Sequence, residues 1–115
     1  MQVQTVSENT YWSALALRRL GREQDAFHAF RAILDYSVHL QHQTPKIDYF
    51  ATSLPAMLLF DEDLARRQTI TARFLEAQAR LGLGEQADGL GLLDEVLAME
   101  NAHTGAIDLL RFHKR

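Results

Sequence analysis

The sequence predicts an all-α fold, an α-α superhelix of about five to six helices arranged as helical hairpins. Three observations predict it. One pattern is written twice at a constant offset, so that Tyr11 matches Phe74, Ala14 matches Ala77, Ala16 matches Ala79, Leu20-Gly21 matches Leu83-Gly84 and Asp25 matches Asp88. Phe30, Ile33 and Leu34 are likewise answered by Leu93, Val96 and Leu97. Apolar residues recur at helical spacing in both halves of each copy. Finally, 2 prolines and 6 glycines in 115 residues leave little chain for turns, and no stretch shows strand alternation.

The elements follow in order. Ser7 or Asn9 caps the first helix, because their side-chain oxygens accept from N–H groups left unpaired in its first turn. Tyr11, Ala14, Leu17 and Leu20 fall on one face, and Gly21 ends the helix by taking the left-handed conformation. A second helix starts near Glu23 and runs to about His42, with Ala26, Phe30, Ile33 and Leu34 at the spacing of a buried stripe. Ile47 to Phe60 is the most apolar segment and contains Pro55, which argues against one continuous helix. Ser53 as cap with Pro55 in the first turn of a short helix is the cheaper solution. Asp61-Glu62-Asp63 then opens a long helix to about Gly82. Leu83-Gly84 stops it, and a partner helix follows from about Glu85 to Met99 with Gly89, Leu93, Val96 and Leu97. A last helix, from about His103 to Phe112, covers the open end of the stack. The tail from Phe112 is expected to fray. The whole reads as a single helical-repeat domain over 1–115: a hairpin over 8–42, a divergent apolar segment over 46–60, a hairpin over 61–99 and a capping helix over 102–112.

Composition narrows the functional classes. Hydrophobic residues at 47% and charged residues at 23% are globular values that argue against disorder. The net charge of -3 offers no clustered cations for nucleic acid. The absence of cysteine removes disulfides, thiolate catalysis and thiolate zinc sites. No apolar run reaches the roughly 20 residues that span a bilayer, and Met1 to Asn9 lacks a signal-peptide pattern, so a cytoplasmic domain that does not enter a membrane is expected.

Individual residues give no catalytic signature. Negative charge at Asp61-Glu62-Asp63 is explained by the positive end of a helix dipole, and consecutive helical residues do not face one another. His39 and His42 stand three apart but lack a carboxylate nearby in sequence, which favours a solvated face over a metal site. His103 reads as a packing or capping residue, while His28 and His113 have no nameable partner. Gly82-Leu83-Gly84 and Gly89-Leu90-Gly91 follow no strand and lack phosphate-loop spacing. Catalytic residues, a metal and a cofactor are therefore not expected.

The runs Ala16-x3-Leu20-Gly21-x4-Ala26-x3-Phe30-x2-Ile33-Leu34 and Ala79-x3-Leu83-Gly84-x4-Gly89-x3-Leu93-x2-Val96-Leu97 resemble tetratricopeptide repeats over about half the chain. Gly89 stands where that family has alanine, a change of about 1 kcal/mol in helix propensity. Asn101 stands where it has proline, and the offset is shorter than two of its repeats. Lys46 to Pro55, followed by Phe60-Asp61-Glu62-Asp63-Leu64, resembles the C-terminal helical-repeat region of large bacterial proteins that also carry β-sandwich domains associated with carbohydrate enzymes.

The tetratricopeptide resemblance implies a concave face lined by the first helix of each hairpin. That face would present Glu8, Tyr11, Arg18 and Arg19 from one copy and Thr71, Phe74 and Gln78 from the other. Arginine beside an aromatic ring suits a peptide carboxylate or an acidic segment; the competing reading places Tyr11 and Phe74 in the core between repeats. The apolar excess of the Ile47–Phe60 segment is either buried within the stack or partner-facing through Tyr49, Phe50, Met57 and Phe60. The expected function is a non-catalytic scaffold for protein–protein or interdomain interaction, its partner a protein, a peptide or another domain of the same polypeptide, with homodimerisation through the apolar segment as one form. The alternatives are an accessory C-terminal module of a bacterial carbohydrate-related enzyme and a small enzyme built from dispersed histidines and carboxylates.

Overall fold

The computed structural model describes residues 6–43 and 55–113, with side chains from residue 63 onward in the second block. Among the described residues there are five helices and no strand: α1 (Glu8–Arg19), α2 (Glu23–Gln41), α3 (Pro55–Gly82), α4 (Gln86–Met99) and α5 (Thr104–His113). The all-α expectation holds. No helix among the described residues is long and apolar enough to cross a membrane.

Ser7 caps α1: its hydroxyl accepts from the N–H of Asn9 at 3.2 Å, and Thr10 returns a hydroxyl oxygen to the N–H of Ser7 at 3.0 Å. Two orphan donors are satisfied reciprocally. The helix then closes at Leu20 by a glycine motif, three of whose backbone bonds recur at the matching residues of the second copy. Gly21 has φ 83 and Gly84 has φ 90, the left-handed region where a Cβ would be strained. The N–H of Arg22 reaches back to the carbonyl of Leu17 at 2.9 Å, and that of Glu85 to Arg80 at 2.8 Å. The following residues, Arg22 and Glu85, share φ -93 with ψ 69 and 68. Identical turns on matching sequence make α1–α2 and the second half of α3 with α4 two copies of one hairpin.

Pro55 does not break the apolar segment into a short helix and a separate long one. It is the first residue of a single 28-residue helix, where its missing N–H would have had no partner. Residues 55–60 therefore belong to α3, and Asp61-Glu62-Asp63 lies more than a turn inside it rather than at its start. The dipole explanation for those acids falls with that boundary. Asp63 instead pairs with Arg67 one turn on, at 3.0 Å.

α3 is the central element, packed between α2 and α4 and against α1. The core is Tyr11, Phe30, Ile33, Phe74, Leu75, Leu93, Val96 and Leu109, with Ala14, Ala26, Ala77 and Ala106 letting the helices approach. The copies bury the matching pairs Tyr11 and Phe74, Ala14 and Ala77, Ala26 and Gly89, Phe30 and Leu93, and Ile33 and Val96. Gly89 has a packing reason that propensity alone misses: a Cβ there would lie 2.6 Å from Cγ of Leu81 and 3.2 Å from the carbonyl oxygen of Ala77. Copy one carries the exposed Arg18 at the position of Leu81, so Ala26 fits where Gly89 is needed.

Candidate functional site

The first helices do not present Tyr11 and Phe74 on an open face: α5, packed mainly on α4, meets them through the side chains of Phe112 and His113 and of the preceding His103. His113 hydrogen-bonds the Tyr11 hydroxyl through Nε2 at 2.9 Å, and Phe112 meets Trp12 edge-on at 5.6 Å between centroids. His103 sits directly before α5, its Nδ1 accepting from the N–H of Ala106 at 3.1 Å while its ring lies 4.7 Å from that of Phe74. Its expected capping and packing role is what the structure has. The expectation that the tail frays from Phe112 is corrected for Phe112 and His113, which belong to α5 and are engaged, while Lys114 and Arg115 lie outside the described residues.

This placement divides the seven residues expected to line a groove. Tyr11, Phe74 and Gln78 are interior, at 0%, 2% and 1% exposure. The reading that made Tyr11 and Phe74 core is the one the packing supports. The Gln78 amide donates to the carbonyl oxygen of Glu8 at 3.1 Å, tying α3 to the start of α1, and its own oxygen has no partner among the described residues. Glu8 is exposed and enters through its backbone; Thr71 is half-buried on α3.

Arg18 and Arg19 are neighbours in sequence with different roles. Arg18 donates to the carbonyl oxygen of Gly82 at 2.6 Å, and its guanidinium carbon lies 4.9 Å from the centre of the Phe30 ring. Gly82 has no room for a side chain, since a Cβ would come within 2.2 Å of that same ring. Arg18 is thus a clamp closing Phe30 onto the end of α3. Arg19 is exposed and forms no hydrogen bond or ion pair among the described residues. Tyr49 and Phe50 lie outside the described residues, and Met57 and Phe60 belong to α3 with side chains outside them.

Burial pushes the Tyr11 phenol up to about 12, against a smaller opposing effect of Arg18, and burial also lowers the His113 imidazole. Both groups are therefore neutral near pH 7, and their contact is a hydrogen bond rather than an ion pair. Elsewhere, Glu85 foremost and then Glu76 raise Arg80, with burial opposing them. That network, Glu76–Arg80–Glu85 at 3.1 and 2.7 Å, holds the turn between α3 and α4. Among the described residues, no three histidines and carboxylates converge where a metal ion could sit. His39 and His42 are both exposed, His39 lying beside the Tyr36 ring.

Among the described residues, one concavity that sequence reasoning missed is a groove of about 560 Å³ between α1 and α5, lined by Trp12, Leu15, Ala16, Arg19, Leu20 and Phe112. Leu20 is 73% exposed, Phe112 51% and Trp12 43%. A signal existed in α1. Trp12, Leu15, Arg19 and Leu20 fall at i, i+3, i+7 and i+8, a second stripe beside the buried one of Tyr11 and Ala14. The contribution of α5 had no such signal, because it depends on how that helix docks. No family model and no solved structure matches this chain.

Proposed function

We propose that this chain is a non-catalytic, tetratricopeptide-like scaffold that mediates protein–protein or interdomain interaction. The observation that supports it best is the α1–α5 groove, whose exposed lining combines an aromatic pair, aliphatic side chains and an arginine. Tryptophan and arginine are the residue types that dominate binding energy at protein interfaces. Contiguous apolar surface rimmed by polar groups marks an interaction site, whereas single exposed apolar residues do not. Both walls are held rigidly from behind, α1 through Gln78 and Arg18 and α5 through the Tyr11–His113 bond. A preformed surface loses little entropy on binding.

The test is affinity capture on the immobilised chain, read by quantitative mass spectrometry beside a Phe30→Asp control that breaks the core. The proposal expects proteins retained by the folded chain and absent from the control. Equal recoveries on both would remove it.

A further inference from the structure

We propose that the α1–α5 groove docks an acidic segment of a partner protein, with a bulky apolar side chain laid against the Trp12–Phe112 pair and a carboxylate against Arg19. This deepens the interaction reading and rests on it. The apolar contribution comes from the lining itself. Trp12 and Phe112 stand edge-on, Leu15 and Leu20 line the groove with them, and Ala16 is the small lining residue where a larger side chain would take up space. The volume of about 560 Å³ falls in the range that holds ligand groups, about 300–1,000 Å³.

Charge selects the partner. Among the described lining, Arg19 is the one charged residue and no carboxylate stands beside it. Arg22, Arg67, Arg73 and Arg80 are each matched with a carboxylate of this chain at 2.6 to 3.4 Å. Arg18 is committed to Gly82 and Phe30. Among the described groove residues, Arg19 presents an unspent guanidinium beside apolar surface, the arrangement that accepts a carboxylate bidentately. A basic segment would set like charges together, which interfaces avoid. One cation is too few to hold a phosphate backbone, whose affinity comes from many neutralised phosphates.

The chain carries its own reporter, because its 1 tryptophan is Trp12. The experiment titrates the full chain with three sets of short peptides lacking tryptophan. Each has leucine or phenylalanine anchors, flanked by Glu/Asp in the first set, Lys/Arg in the second and Ser/Gln in the third. The acidic set is expected to move Trp12 emission saturably and to bind most tightly. Arg19→Glu should weaken that set about tenfold or more, the scale of one lost charge-assisted pair, and turn the preference toward the basic set. Ala16→Gln, a neutral change on an exposed helical position, should weaken every set by filling the groove.

The proposal is overturned if no set moves Trp12, if the sets bind alike, or if both variants bind as the parent does. It is overturned equally if sedimentation shows the chain alone dimerising through this face, with Ala16→Gln restoring the monomer; the occupant would then be a second copy. Affinity capture separates the groove from the scaffold. Partners retained equally by the parent, Arg19→Glu and Ala16→Gln would sink the groove and leave the scaffold, whereas no capture by any form would sink the scaffold.

Discussion

Gly89→Ala should destabilise this protein, although helix propensity alone says the reverse. Glycine in a helix interior is worse than alanine by about 1 kcal/mol, so a surface-like site would gain that amount. Here the new methyl would sit 2.6 Å from Cγ and 2.8 Å from Cδ2 of Leu81, and 3.2 Å from the backbone oxygen of Ala77. The carbonyl cannot swing away without disturbing α3, and Leu81 is itself buried at 7% exposure. Overpacking of this kind costs about 1–3 kcal/mol, which outweighs the propensity gain over most of that range. The net expectation is a loss of up to about 2 kcal/mol, measured by urea unfolding at constant m-value. A Leu81→Ala background should shrink the loss: with that side chain removed, only the 3.2 Å approach to the Ala77 oxygen is left to oppose the propensity gain. A more stable Gly89→Ala protein with Leu81 intact would refute the reasoning, because α3 and α4 would then not approach as closely as described.

Two further outcomes follow from the same packing. Phe30→Ala should lose roughly 3–5 kcal/mol, a buried-aromatic effect, and Arg18→Ala about 1 kcal/mol; combined, they should cost less than their sum, since Arg18 lies over the ring that is gone. Additive values in chemical unfolding would contradict the clamp. The His113 imidazole is lowered in the fold, so the unfolded chain binds the proton more readily. Its contribution is present above the ordinary value of 6.5 and is lost as pH falls through that region. Stability measured from neutral pH down to mild acid should fall less steeply in His113→Phe than in the parent, and parallel profiles would contradict it.

The repeated part of the fold was legible in the sequence, and so was the extent of α5, but the start of α3 and the docking of α5 were not. Gly21 and Gly84 announce the turns because only a left-handed residue closes a helix that way, and Phe30 and Leu93 announce the core because their spacing is that of a buried stripe. The same local logic misled at Pro55. A proline is compatible with either a break or a first position, and the choice depends on packing that the local sequence does not carry. Arg18 and Arg19 look equivalent on paper, yet lie about 100° apart around the helix. One therefore turns to Gly82 and the other to solvent. The burial of Tyr11 and Phe74 against α5 and the preceding His103, and with it the position of the groove, depends on where a C-terminal helix docks. His113 and Phe112 encode that docking through contacts about a hundred residues away, which no periodicity records.

The most direct measurement is amide and indole chemical-shift mapping of the isotopically labelled chain as an acidic, leucine-anchored peptide is added. The Trp12 indole resonance is expected to move together with the amides of Ala16, Arg19 and Phe112, while Glu76 and Glu95, which line a different concavity, and Arg73, paired with Glu95, stay in place. Shifts concentrated on those three residues, with Trp12 unmoved, would contradict the groove as the binding surface.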